Sequence, residues 1–167
     1  EIGGYRLSVE DTDSTKMCGT SEDGEIFNCD WVKQIKHSLD DKSIANVVTD
    51  TYEGHHFGPV TSVERNPSNP NIILTAGDWT AKIWQLGVSH PLLTTPYRHG
   101  IITSARWSPT RPGVFFLTTS EGKIEVWDLL FRSYEPALIQ NYVSHPLTCM
   151  EFKPPSRGRH KYTVQFL

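Results

Sequence analysis

Apolar and polar positions along this chain fall into short β-type runs separated by turn residues, and the arrangement repeats. The segment His56 to Leu86, HFGPVTSVERNPSNPNIILTAGDWTAKIWQL, lines up with Arg98 to Leu129, RHGIITSARWSPTRPGVFFLTTSEGKIEVWDL. Each carries a Gly and then an apolar-Thr-Ser run, Gly58 with Val60-Thr61-Ser62 and Gly100 with Ile102-Thr103-Ser104. Each continues through a pair of prolines (Pro67/Pro70, Pro109/Pro112) and an apolar run to an Ile-Trp or Val-Trp ending. Trp84 and Trp127 stand 43 apart, Pro67 and Pro109 42 apart, and a third start at Leu147 to Pro154 puts Pro154 45 beyond Pro109.

A period of about 40–45 residues made of short strands, closed by Trp127-Asp128, predicts an all-β propeller segment. A blade is covered on both faces by its neighbours, so its inner strands read as continuous apolar runs rather than strict alternations. Ile72 to Thr75 and Val114 to Thr118 have that character. The paired prolines fall between strands, where a missing N–H leaves no ladder bond unmade.

Taken in order, residues 1–56 read as the end of an earlier blade and a connecting loop. Within them, Ser21-Glu22-Asp23-Gly24 forms a tight hairpin turn between Thr15–Thr20 and Glu25–Asp30, with Cys29-Asp30 as a small anchor. Trp31 to Asn46 is a polar loop, and Val47 to Tyr52 an outer strand. Residues 57–97 form one blade with its outer strand within Pro91–Thr95. Residues 98–143 form the next, with outer strand Ala137–Tyr142. Residues 144–167 open a further blade, with Tyr162–Leu167 as its next strand. That amounts to about three blades, some incomplete. A closed seven-blade ring needs about 280 residues, and the chain begins at Glu1, so a segment of a longer propeller is expected. Bare sheet faces and edges then call for the remaining blades or a partner.

A net charge of −3 and a pI near 6.2 argue against a general nucleic-acid binder. The short basic run Arg157 to Lys161 reads as a solvated tail. No 18-residue apolar stretch or signal peptide is visible, which predicts no membrane span. Cys18, Cys29 and Cys149 are odd in number and widely spaced, and read as reduced core residues. A phosphate loop, nucleophile elbow or metal-ligand cluster is not found, so neither catalysis, a cofactor nor a metal is expected. His55 and His56, adjacent in an extended segment, would point to opposite sides.

The repeats resemble the WD-repeat family, in which a His, a Ser/Thr, a turn Asp and the Trp form a buried hydrogen-bonded network. The resemblance assigns these roles to His56, Thr75, Asp78 and Trp84 in the first full unit, and the Trp-Asp close to Trp127 and Asp128 in the second. The second unit departs: Arg98 replaces the His and Glu121 the turn Asp, which leaves Arg98, His99 and Glu121 free for a partner. Gly77-Asp78-Trp79-Thr80-Ala81-Lys82-Ile83-Trp84, with a bulky Trp in the turn, and Trp107-Ser108-Pro109-Thr110-Arg111-Pro112-Gly113 narrow the resemblance to the dynein intermediate chains, above all the axonemal ones. It extends over residues 15–154.

That resemblance implies a non-catalytic hub that binds a dynein heavy-chain tail, with other intermediate and light chains as co-partners. The setting would be a microtubule-associated motor complex of the cytoplasm, cytoskeleton and ciliary or flagellar axoneme. Trp79, Arg98, Arg111 and Glu121, in loops at blade ends, are the expected partner contacts. The alternative is another WD-repeat adaptor, either a cytoplasmic dynein intermediate chain or a ubiquitin-ligase substrate receptor.

Overall fold

The computed structural model describes residues 4–9, 15–30, 32, 48–153 and 163–166. Fourteen strands occur in these residues. The first four are β1 (Gly4–Val9), β2 (Lys16–Ser21), β3 (Ile26–Asp30) and β4 (Val48–Thr51), and they form one antiparallel sheet in that order. The second sheet is β5 (Val60–Arg65), β6 (Ile72–Gly77), β7 (Thr80–Gln85) and β8 (Leu93–Thr94). The third is β9 (Ile102–Trp107), β10 (Val114–Thr119), β11 (Lys123–Asp128) and β12 (Leu138–Asn141), and β13 (Met150–Lys153) pairs with β14 (Thr163–Phe166).

Three four-stranded sheets and the start of a fourth match the propeller expectation. One strand was not read from sequence. β1 pairs with β2 from Gly4↔Ser21 to Val9↔Met17, which gives the first sheet four strands where only its later part was expected. The loop predicted over Trp31–Asn46 and the basic run 157–161 lie outside the described residues, Val32 apart. Among the described residues no helix is long and apolar enough to cross a membrane.

The sheets are laid side by side, and the core lies between them. In β6, Ile73 and Leu74 point to opposite faces, as successive strand residues must. Ile73 packs with Trp84, Cys18, Ile26 and Tyr52, between the first and second sheets. Leu74 packs with Ile83, Ile102, Trp107, Phe115 and Trp127, between the second and third. Tyr52 meets Trp84 edge-on at 5.4 Å, while Phe115 stacks on Trp127 at 5.6 Å and meets Trp107 edge-on at 5.6 Å. Such pairs stabilise beyond their buried area by about 1 kcal/mol each.

Polar links fasten the sheets too. Ser62 Oγ donates to the Ala105 carbonyl (2.9 Å) and Thr61 Oγ1 to that of Ile102 (2.9 Å), so the repeated Thr-Ser run stitches one innermost strand to the next. Further along, the Trp107 N–H donates to Glu64 Oε2 at 2.6 Å, and Arg106 bridges Glu64 (3.7 Å) and Glu151. At the other end of the sheets, each hairpin turn grips the lead-in loop of the following sheet. The His56 N–H donates to the Gly24 carbonyl (3.1 Å), the Ile102 N–H to Asp78 (3.1 Å), and the Leu147 N–H to Thr119 (3.4 Å). Gly24 has φ +89°, and a Cβ there would sit 2.1 Å from the His56 carbonyl oxygen. Only glycine fits that contact.

Candidate functional site

The second sheet holds the hydrogen-bonded network that the repeat pattern assigns to it. Register fixes β6 and β7 around a two-residue turn, Gly77↔Thr80 enclosing Asp78 and Trp79. Asp78 takes φ +50°, a left-handed conformation tolerated by a short polar side chain that bonds locally. Its Oδ1 accepts from the Thr80 N–H (2.8 Å) and from Thr80 Oγ1 (3.0 Å), and its Oδ2 from the Phe57 N–H (2.8 Å). His56 is fully buried; its Nδ1 lies 3.5 Å from Asp78 Oδ1 and its Nε2 2.8 Å from Thr75 Oγ1. Trp84 Nε1–H donates to the same Thr75 oxygen at 2.8 Å.

Because Thr75 accepts from the indole, its own proton is left to donate to His56 Nε2. That assigns the imidazole proton to Nδ1, facing Asp78. The charge states agree. Burial holds the His56 pKa below its ordinary value, against the pull of Asp78. For Asp78 burial alone would raise the pKa, but the bonds from His56, Phe57 and Thr80 outweigh it and bring the carboxyl down to about 2. A neutral histidine and an anionic aspartate rigidify the turn. Thr80 was not singled out from sequence as a member; its signal is the Asp-x-Thr spacing within the turn.

The third sheet solves the same problem with other residues. Arg98 was expected to be free for a partner; instead it is committed internally. Its Nε and Nη2 donate to Glu125 Oε1 (2.7 Å) and Oε2 (2.6 Å), its Nη1 donates to Thr95 Oγ1 (3.0 Å), and its guanidinium lies 5.2 Å from the Trp127 ring centre. Trp127 Nε1–H donates to Glu125 Oε2 at 2.9 Å, so Glu125 does for Trp127 what Thr75 does for Trp84. Glu125 was missed in the sequence, although a carboxylate inside a strand covered on both faces demands a partner. Asp128 lies outside this network: its Oδ1 caps the following turn at the Leu130 N–H (3.1 Å), and its Oδ2 is 3.9 Å from Arg111.

The remaining predicted contacts divide between the two ends of the sheets. Trp79 and Glu121 stand in the β6–β7 and β10–β11 turns, at the same end. Arg111 lies in the β9–β10 connection, at the opposite end and six strand residues away, about 20 Å. Trp79 is partly exposed, and Glu121 pairs with Lys123 at 2.6 Å. His55 is exposed, its ring 6.0 Å from that of Phe57, so the adjacent histidines do diverge. Cys18 is buried, its thiol pushed up to about 12 by desolvation, and burial raises Cys29 too. Among the described residues no three His, Cys, Asp or Glu side chains are grouped to hold a metal ion.

Residues 4–164 match a family model described as the dynein axonemal intermediate chain 3 WD40 domain. The chain is 41% identical over 140 residues to the 70 kDa intermediate chain of the flagellar outer arm of Chlamydomonas reinhardtii, covering 82% of this chain and 23% of that protein. Against dynein axonemal intermediate chain 2 of Mus musculus it is 35% identical over 150 residues, 89% of this chain and 23% of the other. Against dynein axonemal intermediate chain 3 of Homo sapiens it is 37% identical over 131 residues, 76% and 14% of the two lengths. The chain therefore spans less than a quarter of the length of these relatives.

Proposed function

We propose, from the premise that this chain belongs to the WD40-domain family of the axonemal dynein intermediate chains, that its blades are a rigid, non-catalytic scaffold within a ciliary or flagellar dynein. The partner is the tail of a dynein heavy chain, held alongside other intermediate and light chains in the axoneme. One observation carries the reading: the polar groups that could have formed a reactive site are spent inside the blades. His56, Asp78, Thr75 and Trp84 close on one another, and so do Arg98, Glu125 and Trp127. What the fold leaves open is the turn-bearing end of the sheets, where rigid scaffolds commonly carry their binding residues.

Trp79 and Glu121 belong to that end as partner contacts, while Arg111 serves a separate surface. The test is affinity purification of the full-length parent from ciliated cells. Recovery of a dynein heavy chain in stoichiometric amount is the expected result. Recovery of a ubiquitin-ligase scaffold without dynein would overturn it.

A further inference from the structure

Around the β6–β7 turn the chain exposes four large apolar side chains that its own core does not use: Phe57 (73% exposed), Trp79 (41%), Tyr97 (66%) and Ile101 (47%). Hydrogen bonds from backbone N–H groups bring them together. The Phe57 N–H donates to Asp78 Oδ2 (2.8 Å). The N–H of Arg98, next to Tyr97, donates to the Trp79 carbonyl (3.3 Å), and that of Ile102, next to Ile101, to the Asp78 carbonyl (3.1 Å). Two other stretches of chain, around Phe57 and from Tyr97 to Ile101, thus deliver apolar groups to one rigid turn. The turn projects from the end of the second sheet, flanked by the four-stranded first and third sheets, so packing between blades does not cover it.

The rim of this patch is acidic. On one side the β2–β3 turn carries Glu22, Asp23 and Glu25, all exposed and, among the described residues, in no ion pair, and its Gly24 carbonyl is bonded to His56, next to Phe57. On the other, Glu121 lies over Gly100, next to Ile101, where a methyl would come within 2.9 Å of Glu121 Cγ. Lys123 offsets Glu121, and Arg98, beneath the patch, is neutralised by Glu125.

An apolar centre with exposed acids beside it is complementary to an apolar stripe flanked by cations. We infer that this end of the propeller docks a basic amphipathic helix, with Trp79 and Tyr97 against its apolar stripe and Glu22 and Asp23 facing its Lys and Arg side chains. The inference rests on the scaffold reading and places that helix in the heavy-chain tail.

The experiment uses the full-length parent and two synthetic helical peptides of about 18 residues, long enough for about five turns. They share a leucine stripe, flanked by lysines in one and glutamates in the other. Fluorescence anisotropy should show the lysine peptide binding at least about tenfold tighter, a gap that narrows as salt screens the charges. Trp79→Ala with Tyr97→Ser should weaken it by about 30-fold, the scale of an interface hot spot. Both side chains are exposed, and the bond from the Arg98 N–H to Trp79 runs to its backbone carbonyl, so the variant should keep its thermal melt. Glu22→Lys with Asp23→Lys should abolish the preference between peptides. Equal binding of both peptides, or a lysine peptide indifferent to the Trp79/Tyr97 variant, overturns the inference.

Heavy-chain recovery with the same variants separates the two readings. Heavy chain retained by the Trp79/Tyr97 variant overturns this surface and leaves the scaffold role standing. Heavy chain absent even from wild type, with peptide selectivity intact, overturns the heavy-chain assignment and supports the docking chemistry.

Discussion

Replacing Thr75 by Val removes one hydroxyl from the blade interface at almost constant volume. The position is fully buried, so no water can take over the two bonds that end there, from Trp84 Nε1–H and to His56 Nε2, both at 2.8 Å. Each orphaned group costs about 1–3 kcal/mol in desolvation, so the substitution, which orphans both, should cost about 2–6 kcal/mol. With an m-value of about 2 kcal/mol/M, a cost of about 3 kcal/mol moves the urea midpoint of the propeller's unfolding transition down by about 1.5 M, followed by tryptophan fluorescence. Trp84→Phe, which removes the indole donor, supplies the control. In its background Thr75→Val strands only His56, so the double variant should be milder than the sum by about 1 kcal/mol or more. Strict additivity, or a Thr75→Val cost below about 0.5 kcal/mol, would refute the shared-hydroxyl account and the proton placement derived from it.

Arg98→Ala leaves the buried Glu125 carboxylate unpaired and should cost about 3–5 kcal/mol; Arg98→Lys, which cannot form the two-pronged bond, should recover only part of it in the same unfolding assay. Two carboxyls give the pH dependence opposite signs. Asp78, at about 2 when folded against 3.8 ordinarily, contributes about 2 kcal/mol above pH 3.8 that is lost as the pH falls toward 2, and Asp78→Asn should erase that limb. Glu64, raised to about 6 chiefly by burial from 4.5, favours the folded state when protonated, so it costs about 1–2 kcal/mol as the pH rises from 4.5 through 6; Glu64→Gln should flatten that slope in urea titrations at stepped pH. Gly24→Ala should disrupt the first hairpin turn and, by hydrogen exchange, lower protection at the His56 amide, since its methyl meets the His56 carbonyl oxygen.

The second and third blades were legible because each carries its own punctuation. A Thr-Ser run opens the inner strand, a proline pair follows it, and a Trp closes the third strand. β1 carries none of this. It is followed by Glu10-Asp11-Thr12-Asp13-Ser14 where the others have prolines, so nothing marked it as an inner strand. The His-Asp-Thr-Trp network was legible only through the resemblance to the WD repeats, which assigned its members residue by residue. Arg98 was misjudged because sequence compares like with like. A missing His and a missing Asp look like a lost network, whereas the third sheet builds a different one through Glu125, whose place in the second sheet is taken by Lys82. The exposed patch around Trp79 was visible only at that residue. Phe57, Tyr97 and Ile101 join it through hydrogen bonds of their own or neighbouring N–H groups that no sequence pattern announces.

The grip of each hairpin turn on the loop that follows it gives the assembly a direction. Gly24 holds His56, Asp78 holds Ile102, and Thr119 holds Leu147, always from an earlier sheet to a later one. A lesion in one turn is therefore inherited by its successor: the downstream sheet loses the anchor of its first strand while the upstream sheet keeps its own. Tension along the ring would travel through these clasps as through the links of a chain. An insertion that lengthens such a turn would disturb two sheets at once, whereas the β11–β12 connection holds no such clasp among the described residues and is where added residues would be absorbed.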